Sequence, residues 1–127
     1  MPCSHYFDLR KGVIFVTSTG TVTDHDWVAN LTAMVRDENF HPELRGFSDY
    51  TGVTESLVTA NMLELLAANQ ASSPRARWAF LVTPGFSGAM IEFYKSQIKR
   101  GQVQLFLDRS KAFAWLNESV PQEQVIV

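Results

Sequence analysis

Val13-Ile14-Phe15-Val16-Thr17-Ser18-Thr19-Gly20-Thr21-Val22-Thr23-Asp24-His25-Asp26-Trp27-Val28 changes periodicity along its length, and that change decides the fold. Val13 to Thr17 is apolar on both parities and rich in β-branched residues, as expected of a strand covered on both faces. Thr23 then stands three residues before Asp26, an acidic variant of the capping box, and Asp24 and Asp26 suit the positive end of a helix dipole. Trp27, Val28, Leu31, Met34 and Val35 follow as one stripe on a 3.6-residue period, so a helix begins at Thr23. Asn39 can end it in the left-handed conformation.

Upstream, His5 to Leu9 alternates and meets the turn signal Arg10-Lys11-Gly12, which predicts an antiparallel hairpin with the Val13 strand. Downstream, Leu44 to Tyr50 reads as a short strand ending at Asp49, with Asp49-Tyr50-Thr51-Gly52 as a turn. Val58, Met62, Leu65, Leu66 and Asn69 mark a second helix from about Glu55 to Ala71, closed by Ser72-Ser73-Pro74. Trp78-Ala79-Phe80-Leu81-Val82, bounded by Pro84-Gly85, reads as a buried central strand.

Ser87 caps a third helix carrying Met90, Phe93, Tyr94, Gln97 and Ile98, with Gly101 just past its end. Val103 to Leu107 is the last strand, and Ser110 caps a short fourth helix with Phe113, Trp115 and Leu116. The tail, residues 121–127, either stays loose or adds an edge strand. The order β-β-α-β-α-β-α-β-α predicts a single α/β domain over residues 1–127: a mixed, mostly parallel sheet of about five strands with four helices.

Composition narrows the function classes. In 127 residues, 46% are hydrophobic and 19% charged, enough apolar material for one core and the opposite of a disordered chain. A formal net charge of −2, with scattered basic residues, gives no footprint for nucleic acid. The short cluster Lys95, Lys99 and Arg100 reads as a solvated helix face. A single cysteine, Cys3, allows no intrachain disulfide, and nothing beside it suggests an activated thiol. The first residues lack the profile of a signal peptide and no apolar run is long enough to span a bilayer, so a cytoplasmic chain is expected.

Three segments carry a resemblance: the strand leading into Thr21-Val22-Thr23-Asp24 and its helix; Gly46-Phe47-Ser48-Asp49 leading towards a helix; and Val103-Gln104-Leu105-Phe106 followed by Ser110-Lys111-Ala112-Phe113-Ala114-Trp115-Leu116. On these, over nearly its whole length, the chain resembles the STAS domains, in particular the SpoIIAA-like group, whose fold is related to Sec14-type lipid-binding domains. The resemblance implies a regulatory module working through protein contacts. It also implies a phosphorylated serine at the start of the helix after the third strand, in an Asp-Ser-Ser-Gly type sequence. The matching stretch is Thr54-Glu55-Ser56-Leu57, with Leu57 at the usual acceptor position and Val58 at that of the glycine. Ser56 and Thr54 are the remaining candidate acceptors, and capping the second helix is the favoured reading of both.

No catalytic motif is present, and neither a cofactor nor a metal is called for. Asp24-His25-Asp26 is the one dense group of metal-capable side chains, but neighbours on a helix diverge, and the helix start accounts for both aspartates. His41 precedes Pro42 in a loop, and His5 is read as a packed or edge side chain of the first strand. Thr83-Pro84-Gly85-Phe86-Ser87-Gly88 joins a strand to a helix N-terminus, where amides can hold an anion, although a plain tight turn is favoured. In open α/β sheets ligands gather at the carboxyl ends of strands. The candidate ligand or partner rim is therefore Asp49, Thr51, Thr54, Ser56, Pro84, Gly85, Phe86 and Ser87. A protein-interaction module is expected there, with a binder of a lipid or anionic metabolite as the alternative. An exposed edge strand or apolar helix face would be an easy route to a homodimer.

Overall fold

The computed structural model describes residues 2–68, 76–83, 96 and 102–117. Five strands, β1 (Cys3–Asp8), β2 (Val13–Thr23), β3 (Arg45–Leu57), β4 (Arg77–Leu81) and β5 (Gln102–Phe106), form one sheet in the order β1-β2-β3-β4-β5. β1 runs antiparallel to β2, and the β2–β3, β3–β4 and β4–β5 ladders are parallel. Three helices are described: α1 (Asp24–Arg36), α2 (Ala60–Ala68) and α3 (Arg109–Asn117). This is a single α/β domain with a five-stranded mixed sheet. The helix expected between Ser87 and Gly101 lies outside the described residues, apart from Ser96, which is helical. The tail at 121–127 lies outside them as well.

The β1–β2 hairpin turns at Gly12, whose φ of 67° is a conformation that side chains disfavour. β2 is buried on both faces, as its double parity predicts. Val13 packs with Phe47, Ala79, Leu81, Ala112 and Leu116 beneath α3, whereas Ile14 and Val16 pack with Met34 of α1 on the opposite face. Arg45 and Arg77 fix α3 from its carboxyl end. Arg45 Nη1 donates to the Leu116 carbonyl at 2.7 Å, and Arg77 Nη1 donates to the Trp115 carbonyl at 2.6 Å with its guanidinium 4.8 Å over the Trp115 ring. Cations suit that end of a helix dipole. Arg45 also donates to the Lys11 carbonyl, tying α3 to the hairpin.

The capping box of α1 forms as read. Asp26 N–H donates to Thr23 Oγ1 at 3.2 Å, and the Asp26 carboxylate accepts from the Thr23 amide at 2.9 Å. Three sequence expectations need correction. Asn39 is not left-handed: α1 ends at an extended Asp37, whose carboxylate takes the Asn39 amide at 2.8 Å, so the chain leaves without a positive φ. Asp108, not Ser110, caps α3, accepting the Lys111 amide on Oδ1 at 3.2 Å. The largest correction concerns β3, which does not end at Asp49 but runs on to Leu57.

That extension rests on two β-bulges. Thr17 pairs with Asp49 but Thr19 with Gly52, and Gly20 pairs with Val53 but Thr21 with Glu55. In each step β3 advances one residue more than β2, and a bulge of this kind re-aims the side chains that follow. Tyr50 and Val53 are both buried in consequence, three residues apart in one strand. They join Val22, Phe80, Val82, Val103 and Cys3 in a second cluster on the α1 side, with Trp27 and Val58 against it. Gly52 suits the first bulge, because a Cβ there would meet the Thr19 methyl at 2.9 Å and the threonine side chain would have to shift.

Candidate functional site

The sheet positions Asp49 where β2, β3 and β4 still lie side by side, opposite Thr17 on one flank and Leu81 on the other. Its Oδ1 accepts from the Thr51 amide at 2.9 Å and the Thr51 hydroxyl at 2.6 Å. Its Oδ2 pairs with Arg109 Nη2 at 2.5 Å. Arg109 comes from the first turn of α3 and lies 5.3 Å over the Phe47 ring. Partial burial acts to raise the Asp49 pKa. The Thr51 hydroxyl and amide and the Arg109 guanidinium outweigh it and hold the carboxyl below its ordinary value. Asp49 is thus an ionised strut between β3 and α3, with both oxygens engaged.

The other rim residues are not gathered around it. Thr54 and Ser56 lie further along β3, Thr54 exposed and Ser56 half-buried, with Ser56 Oγ 3.5 Å from the Val58 amide that donates to it. Neither caps a helix, contrary to expectation, because the strand continues through both. Thr59 caps α2, taking the Met62 amide on Oγ1 at 3.2 Å. Pro84, Gly85, Phe86 and Ser87 lie outside the described residues.

Past Asp49, β2 and β3 continue together as a two-stranded arm. Thr21, Thr54, Glu55 and Leu57 are exposed along it, and Leu57 at its tip is 52% exposed. The arm leads directly into α2, where Leu65 is 56% exposed. Among the described residues, Asp24, Asp26, Asp49, Glu55 and Asp108 stand at this carboxyl end of the sheet with Arg109 and Lys111. Asp24 and Asp26 do not converge on a common point. Asp26 serves the α1 cap, while the Asp24 carboxylate takes the Thr59 amide at 2.8 Å and the Thr59 hydroxyl at 2.9 Å. His5 is half-buried, with Nδ1 2.9 Å from Asn30 Oδ1. His41 Nδ1 accepts the Glu43 amide at 3.1 Å in an exposed turn. Cys3 is buried, and burial pushes its thiol pKa up despite the Ser18 hydroxyl.

Sequence reasoning missed Arg109 and Thr59. A cation in the first turn of a helix opposes the dipole, and that misfit was the available sign that Arg109 is held by a carboxylate elsewhere. Nothing local marks Thr59.

The class defined by this geometry is an α/β domain with a mixed sheet, helices on its two faces and a prolonged β2–β3 arm at the carboxyl end. No family model matches the chain, and no curated protein matches it. Among solved structures it is similar to an uncharacterized protein of the DUF3478 family with a SpoIIAA-like fold from Shewanella loihica PV-4. The TM-score is 0.59 at 15% identity, over 90% of this chain and 91% of that one. The chain therefore has a SpoIIAA-like fold, as its sequence resemblance implied. At that identity the likeness is one of fold alone. Among the described residues no helix is long and apolar enough to cross a membrane.

Proposed function

We propose that the chain is a non-catalytic regulatory module that engages a protein partner through the β2–β3 arm and α2. The observation that carries this reading is the arm itself. Past Asp49 it presents exposed hydroxyls, Glu55 and the apolar Leu57, and it runs straight into a helix that exposes Leu65. An exposed apolar residue flanked by polar ones on a strand-to-helix junction suits a protein contact better than a cleft for chemistry. The SpoIIAA-like fold is consistent with it. The engaged state of Asp49 supports it too, since a carboxylate saturated by Thr51 and Arg109 is poorly placed to act as a base.

The test is site-specific photo-crosslinking in the native host, with the probe at Thr54 in the arm and, as control, at Arg10 in the hairpin. A discrete protein adduct from Thr54 and none from Arg10 is expected. Equal labelling from both, or no adduct from Thr54, would remove the reading. A co-purifying lipid or metabolite in the native mass spectrum would favour the small-molecule alternative instead.

A further inference from the structure

We infer that Asp24 is a latch for α2 rather than a charge for α1, and that α2 is released through it while the sheet and α1 stay folded. Asp24 opens α1, yet the needs of that helix are met two residues on: Asp26 accepts both the amide and the hydroxyl of Thr23. The Asp24 carboxylate is turned instead on Thr59, accepting its amide on Oδ1 at 2.8 Å and its hydroxyl on Oδ2 at 2.9 Å. The same hydroxyl accepts the Met62 amide at 3.2 Å. A chain of donors therefore runs from the first turn of α2 through Thr59 to the carboxylate, each bond polarising the next.

α2 needs this anchor. The first amides of a helix have no partner within it, and Thr59 Oγ1 supplies one for Met62 in the described span Ala60–Ala68. Among its described side chains Leu63 is buried and Met62 half-buried, whereas Ala60, Asn61, Glu64 and Leu65 are exposed. Just before it, Val58 rests against the Val22, Tyr50 and Val53 cluster, which belongs to the sheet and does not depend on the helix being formed. The N-termini of α1 and α2 are thus joined through the half-buried Asp24 carboxylate, and a segment held at its end by such a contact can open locally below the global unfolding energy.

The test follows amide exchange in the isolated full chain, and so stands apart from whether any partner exists. Asp24→Ala should speed exchange at Met62 to Leu65 about tenfold, the effect of losing a pair of charge-assisted bonds, with Phe47 and Ala79 unchanged. Asp26→Ala should do the converse, loosening the first turns of α1 and sparing α2. Thr59→Ser keeps both bonds and should exchange as the parent does. Three results overturn the inference: α2 indifferent to Asp24→Ala, the two aspartate variants giving one pattern, or sheet amides accelerating together with α2. An Asp24→Ala chain that fails to fold overturns it as well, since α2 would then not be separable.

Discussion

From Val13 to Thr17, β2 lies between β1 and β3 in an unbroken register, with buried side chains on both faces. From Thr19 to Thr23 the same strand pairs with β3 through two register shifts and turns exposed threonines outward. The first region is packed on both faces, the second only where Val22, Tyr50 and Val53 turn inward, and it relies besides on its ladder, two glycine-assisted irregularities and the helix caps that follow. Gly20, at φ 67°, and Gly52, against Thr19, mark where one regime gives way to the other. A side chain in the body is therefore tied to fold stability, whereas the arm divides into buried Val22, Tyr50 and Val53, which share that role, and exposed Thr21, Thr54, Glu55 and Leu57, which are largely free of it.

The contrast is broken most severely at Phe47. It is 1% exposed, stacked on Phe113 at a 4.5 Å centroid distance and tilted against Phe15. Phe47→Ala should cost about 4 kcal/mol, read as a fall in the urea midpoint at unchanged slope. A loss under about 1 kcal/mol would mean that α3 is not part of the core.

Gly46 comes next. A Cβ there would lie 2.1 Å from Trp78 Cδ2, and the indole is fixed by a 2.8 Å hydrogen bond from its Nε1 to Ser48 Oγ. Gly46→Ala should destabilise by about 3 kcal/mol through overpacking. Ser48→Ala in the same background, by freeing the ring, should recover part of that loss. Failure to recover would place the strain in the backbone instead.

The body was legible because its signals are redundant. Val13 to Thr17 and Trp78 to Val82 are too apolar to lie anywhere but inside a sheet, and the Thr23 to Val35 stripe has its cap in place. The arm was not legible, and the reason is specific. Two bulges spread the buried residues of β3 to Tyr50, Val53 and the half-buried Ser56, a three-residue spacing that imitates a helix. Asp49-Tyr50-Thr51-Gly52 does contain turn chemistry, since the Asp49 carboxylate takes the Thr51 amide, but the sheet uses it to bulge the strand rather than reverse the chain. Arg109, the ion-pair partner of Asp49, and Thr59, the partner of Asp24, lie 60 and 35 residues away, separations that no local pattern reveals.

Asp49 sits on the boundary between the two regions and should show an intermediate effect. Its folded pKa lies below its unfolded one, so its stabilising contribution is complete above roughly pH 3.9 and is lost as pH falls through the lower folded value. Asp49→Asn should remove about 1 kcal/mol at neutral pH and flatten that acid limb of the stability profile. Arg109→Met should flatten it in part, because Thr51 remains. An acid limb unchanged in Asp49→Asn would assign it to other carboxylates.

The smallest effect on stability is expected where the proposed effect on function is greatest. Leu57 and Leu65 are more than half exposed, and an exposed leucine leaving water contact to a serine changes folding by no more than about 0.5 kcal/mol. Leu57→Ser and Leu65→Ser should therefore keep the parent melting curve, yet each should remove the protein adduct captured from Thr54. If both effects are absent, the apolar exposure of the arm is incidental. If instead either variant melts early, that leucine belongs to the packing of the domain, and the division between a body held by its core and an arm held by its ladder has been drawn in the wrong place.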